Sequence, residues 1–371
     1  MRVLIYGAGV VGSLYAARLK QGGHEVTLLA RGDRLADLQK EGLSLEDLIT
    51  GEHLAIPIDT TDDLGPDDRY DLIITLLPKD RLLEVLPVLS AHKNAPVVLF
   101  LGNNAAGPGE LASAVGRDRV LMGFPGAAGT RVANLVRFMD SYQGQRFPMT
   151  VGAPYPEAAH HLAPVIASFH QAGIPVTIEP LIGDWLKSHA AFILPLAGAT
   201  YMADMDVGRL ADTRDALVLL VRGLRESLGA LRAAGVTIAP PVFRLLRWLP
   251  EPLLIGIFRH RLRRPAAQHG LSHAHGARQE LAHLAQEFSE LASSAGYPTP
   301  ILDFLCAYIA PEAAPLPQGS AQLPVDWRGV WAGLALLTGA TAIWAIAQIW
   351  RRERPSPHEP RQGASAERTP S

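Results

Sequence analysis

Over the first 180 residues, short apolar runs alternate with stretches whose apolar positions recur at helical spacing. Arg2–Tyr6 and residues 24–30, 71–77, 96–101 and 119–124 read as strands, with a helix from Val10 to about Lys20 and helical segments between the later runs. Residues 149–151 and 175–179 read as closing strands of the same unit. Runs apolar on both faces, separated by helices, predict a parallel sheet covered on both sides. After Pro180 the strand signals stop. Residues 185–205, 214–234, 241–262 and 279–295 carry helical spacing, with Pro195 interrupting the first and Pro250 and Pro252 breaking the third. The pattern predicts an α/β domain over residues 1–180 followed by an all-α domain over 181–310.

Beyond this the pattern changes twice. Pro311, Pro315, Pro317 and Pro324 lie among small residues, so 311–328 reads as a linker. Residues 330–350 hold no formal charge, and Trp331, Trp344 and Trp350 include one near each end. About 20 apolar residues cross a hydrocarbon core of about 30 Å, so 329–350 is expected to be a transmembrane helix. Gly329-x3-Gly333 and Ala335-x3-Gly339 offer small-residue faces on which two such helices would meet as a homodimer. The tail 351–371, with Pro355, Pro357, Pro360 and Pro370, is expected to be disordered. It carries five arginines against three glutamates, a bias toward the cytoplasmic side. With no leader pattern at residue 1, the expectation is a membrane-associated chain with its catalytic domain in the cytoplasm.

Composition narrows the classes. Of 371 residues, 48% are hydrophobic and 19% charged, with a net charge of −2, which excludes a globally basic nucleic-acid binder. The lone Cys306 excludes a disulfide framework. Only five lysines occur (Lys20, Lys40, Lys79, Lys93 and Lys187), so each stands out against the arginines. Residues 243–264 mix six arginines with apolar side chains, which suits either an anionic membrane surface or a helical hairpin covering the core.

The strongest local motif is Gly7-Ala8-Gly9-Val10-Val11-Gly12, lying between the first strand and the first helix. In such a turn the first glycine permits the tight bend, the second lets backbone approach a pyrophosphate, and the third lets helix and strand pack closely. The helix N-terminus then offers free N–H groups to the phosphates. At the end of the second strand, Ala30 cannot accept from a ribose 2′-hydroxyl, whereas Arg31, with Arg34 beside it, can pair with a 2′-phosphate. NADP is therefore the expected cofactor.

The run from Gly7 to Leu19, with Gly23-His24-Glu25-Val26-Thr27-Leu28-Leu29-Ala30-Arg31, closely resembles the 2-dehydropantoate 2-reductases, or ketopantoate reductases. The resemblance covers about residues 1–308, densely in the first 35. It implies an N-terminal Rossmann domain, a helical C-terminal domain, an active site in the cleft between them, and NADPH-dependent reduction of a 2-oxo acid on the way to pantothenate. It also implies Asn103 near the nicotinamide, Lys187 (in Trp185-Leu186-Lys187) as the catalytic lysine, and Glu280, eighteen residues before Pro298, as the catalytic-site glutamate. Departures accompany these matches. Ala191, Gln268 and Ser272 replace the family's asparagine, serine and aspartate, and Lys79 stands one residue past the family's strand-end lysine.

Reduction of a ketone needs a proton on oxygen as the hydride arrives, and an ammonium such as Lys187 can stabilise the alkoxide and supply that proton. Glu280 would orient the lysine or bind a substrate hydroxyl. Ser272 and His273 are candidate substrate contacts replacing the lost family groups. His269 and His273 have zinc-ligand spacing but no evident third ligand, so no metal is expected. The leading reading is a membrane-tethered NADPH-dependent reductase. The alternatives are a nucleotide-binding sensor or scaffold that has lost turnover, and a reductase of a more apolar ketone.

Overall fold

The computed structural model describes residues 1–264, 267 and 278–331. Residues Met1–Val325 form one compact unit, and Asp326–Ser371 a second, separate one. In the first unit an eight-stranded sheet runs in the spatial order Val176–Ile178, Met149–Gly152, Val120–Phe124, Val98–Leu101, Leu72–Thr75, Arg2–Tyr6, Glu25–Leu29, Asp59–Thr61. Its ladders are parallel except where Met149–Gly152 pairs antiparallel with Val120–Phe124. The central strands Leu72–Thr75 and Val98–Leu101 are buried throughout, as helix-covered parallel strands require.

Helices α1 (Val10–Gln21), α2 (Gly32–Glu41), α3 (Lys79–Ala91), α4 (Gly109–Val115) and α5 (Leu162–Gln171) connect the strands. One core joins α1 and α5 to the sheet through Leu14, Tyr15, Val165 and Phe169; another joins α3 and α4 through Leu82, Leu86, Leu111 and Val115. A second, four-stranded sheet, in the order His53–Ile56, Leu43–Asp47, Leu135–Met139, Ala128–Val132, packs Leu43, Leu45, Val136 and Phe138 into the α1 core. Sequence patterning missed this sheet. Its central pair joins residues 44–47 to 135–138, and no local periodicity reports a pairing that distant.

The helical half follows. Helix α6 (Ile182–Met202) packs along α8 (Arg214–Ala233), with α7 (Val207–Asp212), α9 (Glu251–Leu262), α10 (Arg278–Ser294) and α11 (Pro300–Ala307) around them. Residues 311–325 are docked on this half rather than strung free. Leu316, Leu323 and Val325 pack on its core, and the Asp215 carboxylate accepts from Ser320 Oγ at 2.5 Å and from the N–H groups of Gln322 and Leu323 at 2.8 and 2.9 Å. Burial opposes ionisation of Asp215, but these three donors outweigh it and hold the carboxyl below its ordinary range. Part of the arginine-rich stretch is likewise tied down: Arg259 donates to the Ala211 carbonyl, and Arg263 pairs with Asp212 at 2.6 Å.

The expected transmembrane helix is corrected. Among the described residues no helix is long and apolar enough to cross a membrane. The 21-residue α6 has the length, but it carries Asp184, Lys187 and His189 and belongs to the helical core. Of the expected span, residues 329–331 close a short helical turn, and 332–350 lie outside the described residues. The membrane-associated localisation and the helix-mediated homodimer rested on that span and are set aside with it. The tail 351–371, Gln268, His269, Ser272 and His273 also lie outside the described residues.

Candidate active site

The glycine turn has the anatomy its spacing predicts. A Cβ on Gly12 would collide with the Gly7 carbonyl oxygen, and Gly7 itself sits at φ +124°, so both positions exclude larger residues. A Cβ on Gly9 would meet nothing within 4 Å, which leaves open backbone where a pyrophosphate would lie. Gly9 caps α1 without any side-chain acceptor, and the first turn contains no acidic residue. The N–H groups at Val10, Val11 and Gly12 and the positive end of the helix dipole therefore remain available to an anion.

Beside Ala8 and Gly9, a cavity of about 370 Å³ is lined by Ala30, Arg31, Arg34, Arg81 and Arg131, with Glu84 as the acidic residue. Arg31 is exposed and donates to Tyr6 Oη at 3.0 Å and to the Asp62 carbonyl at 3.3 Å. Arg34 has a different role. It is buried and donates to the Ala8 carbonyl at 3.2 Å, to Ser13 Oγ at 3.0 Å and to Asn134 Oδ1, so it braces the glycine turn from behind. Arg131 arrives from the second sheet, and for that reason sequence reasoning did not find it.

On the other side of Gly9 lies a cleft of about 500 Å³, bounded by the glycine turn, Leu77-Pro78, Gly102-Asn103, Phe124–Ala127 and the helical half. Asn103 and Glu280, 177 residues apart, meet on its wall: Asn103 Nδ2 donates to Glu280 Oε1 at 2.6 Å. Burial pushes the Glu280 carboxyl up; the Asn103 bond works against this, and Asp80 adds to it. Among the described residues, Asn103 Oδ1 is buried without a partner. The Asn103 loop is fixed by its neighbours. Asn104 Oδ1 accepts from Gly107 N at 2.6 Å, and Glu287 accepts from Ala105 N at 2.8 Å while pairing with buried Lys79 at 3.2 Å.

Lys187 does not join them. It lines a separate cavity of about 550 Å³ with Ala105, Ala106, Glu287 and Glu290. The cleft-facing stripe of α6 is His189, Ile193, Ala197 and Thr200. At 100° per residue, Lys187 stands about 160° around the helix from His189. The Trp-x-Lys spacing fixes sequence position but not which face of α6 meets the cleft. His189 went unmarked because a histidine among alanines and leucines reads as core.

Residues 3–143 match the family model for ketopantoate reductase PanE/ApbA. Over that segment the chain is similar to that family. A curated 2-dehydropantoate 2-reductase from Halobacterium salinarum is 27% identical over 252 residues, covering 67% of this chain and 80% of that protein. Among solved structures, D-mandelate dehydrogenase with NADH and anilino(oxo)acetate superposes with a TM-score of 0.68 at 18% identity, covering 83% of this chain and 97% of that one. A PanE/ApbA-family ketopantoate reductase from Ralstonia eutropha gives a TM-score of 0.63 at 22% identity with the same coverage. These structural likenesses establish the ketopantoate reductase fold, sheet domain and helical half together.

Proposed function

We propose that the chain is an NADPH-dependent reductase of a 2-oxo acid or related ketone, with Glu280 as the group that carries the proton. By kinship it is an oxidoreductase of the CH–OH/C=O class. The observation that carries the finer reading is the Asn103–Glu280 hydrogen bond on the wall of the cleft that ends at the open glycine turn.

The residues present fit a nicotinamide dinucleotide. Gly9 leaves room for the pyrophosphate, Arg31 and Arg131 line the cavity expected to hold a 2′-phosphate, and the unpartnered Asn103 Oδ1 suits a carboxamide N–H. When bound, the dinucleotide supplies the hydride to the carbonyl carbon. The chain supplies the proton and excludes water. Burial keeps the Glu280 carboxyl protonated to higher pH than a solvated glutamate. Asn103 occupies Oε1, which leaves Oε2 to hold the proton and give it to the developing alkoxide.

Oxidation of NADPH, followed by absorbance against a panel of 2-oxo acids and apolar ketones, tests the activity. On the best substrate, Glu280→Gln should cut kcat by roughly 10²–10⁴-fold, since glutamine keeps a hydrogen bond but has no acidic proton. Lys187→Ala should leave kcat within about twofold, as for a side chain outside the site. A large loss in Lys187→Ala with little change in Glu280→Gln would return the proton to the lysine.

A further inference from the structure

After Asn103 Oδ1 is assigned to the dinucleotide, one other polar atom on the cleft wall is buried without a partner among the described residues: Nε2 of His189. Buried polar atoms are nearly always paired, and leaving one unpaired costs on the order of 1–3 kcal/mol. The ring is also held in place. It stacks on Trp185 with 5.4 Å between centroids and 6° between planes, and Phe124 packs on it at 4.1 Å. Trp185 precedes His189 by one helical turn, and Phe124 ends a central strand of the sheet, so both domains fix the imidazole. The two aromatic contacts hold the plane of the ring.

We propose that His189 is a substrate-binding residue: its Nε2–H donates to an oxygen of the carbonyl substrate, holding it against the helical wall opposite the dinucleotide. The proposal rests on the reductase reading. Desolvation pushes the imidazole pKa down to about 4, so near neutral pH the ring is uncharged and carries one N–H. Such a donor recognises an oxygen acceptor without bringing a buried cation into the cleft. The neighbouring stripe of α6, Ile193 and Ala197, is apolar, with Thr200 beyond it. The substrate therefore has its oxygen at the His189 end and an apolar group along the rest of the helix.

Binding of phenylglyoxylate to the NADP⁺-loaded protein tests this without turnover, because the oxidised cofactor cannot reduce the probe. His189→Phe keeps the aromatic stack and removes the donor; His189→Gln restores an N–H without the ring. We expect phenylglyoxylate to bind wild type, His189→Phe to raise its Kd at least tenfold, and His189→Gln to recover part of that loss, while the Kd for NADP⁺ holds in all three. In nitrogen-15 NMR of labelled histidine, the His189 Nε2 resonance should shift on adding the probe to wild type. Equal Kd values for wild type and His189→Phe, or no binding to wild type, would overturn the proposal. Failure of the wild type to oxidise NADPH with every carbonyl compound, while phenylglyoxylate binding still depends on His189, would instead remove the reductase reading.

Discussion

Arg31 and Arg34 lie three residues apart, and the sequence offered both to a 2′-phosphate. The fold gives them different tasks. Arg34 is spent on Ala8, Ser13 and Asn134, whereas Arg31 is an exposed residue lining the cavity. Arg31→Asp should therefore weaken NADPH binding by about 10- to 150-fold, the equivalent of roughly 1.5–3 kcal/mol for a hydrogen bond to a charged group. NADH, which lacks the phosphate, should change by less than about threefold. Fluorescence titration of both cofactors checks this, and equal losses would remove Arg31 from cofactor choice. The glycines were legible for a related reason: each role is steric and local, written in consecutive residues. Asn103 and Glu280 were found only through a family spacing, because nothing local links two residues 177 positions apart. His189 had no signal at all, since its meaning depends on which face of α6 meets the cleft.

The main parallel sheet and the long helices were legible because each has its own period. The second sheet and the docked strap were not. The strap's prolines and small residues are those of a linker, yet its backbone is held by the helical half: the Asp215 carboxylate accepts from two of its N–H groups, and Arg209, Arg214 and Arg222 donate to its carbonyls. Asp215→Ala would leave the Gln322 and Leu323 N–H groups and the Ser320 hydroxyl without their acceptor, at a cost of about 1–3 kcal/mol. Thermal melts should show that loss, and limited proteolysis should cut first within 311–325. The carboxyl lies below its ordinary range when folded. Its stabilising effect is therefore present above the ordinary carboxylate range and lost as pH falls through the depressed value. Truncation after Val325 should leave the Tm unchanged, because the compact unit ends there, while truncation after Ala310 should lower it. Equal melts for the two truncations would mean that the strap adds no stability.

At the scale of the whole molecule, the cleft brings together two titratable groups that folding drives in opposite directions toward neutrality. Burial raises the Glu280 carboxyl, with Asn103 opposing and Asp80 reinforcing, and burial lowers the His189 imidazole to about 4. Near neutral pH the histidine is uncharged, and the glutamate keeps its proton to higher pH than a solvated carboxyl. That arrangement suits a site in which a neutral carbonyl becomes an alkoxide and needs one proton. The two shifts have opposite consequences for stability. Glu280, raised, favours the fold at pH below the ordinary 4.5, and that contribution is lost as pH rises through its elevated value. His189, depressed, favours the fold above 6.5, and that contribution is lost as pH falls from 6.5 through about 4. His189→Phe should therefore gain stability relative to wild type as pH falls across that window. Catalysis should show the other limb. If Glu280 delivers the proton, kcat/KM for reduction falls about tenfold per pH unit once pH exceeds the raised carboxyl pKa. Glu280→Gln, already slow, should show no such limb. A wild-type profile with no alkaline limb, or a limb that persists in Glu280→Gln, would place the proton donor elsewhere.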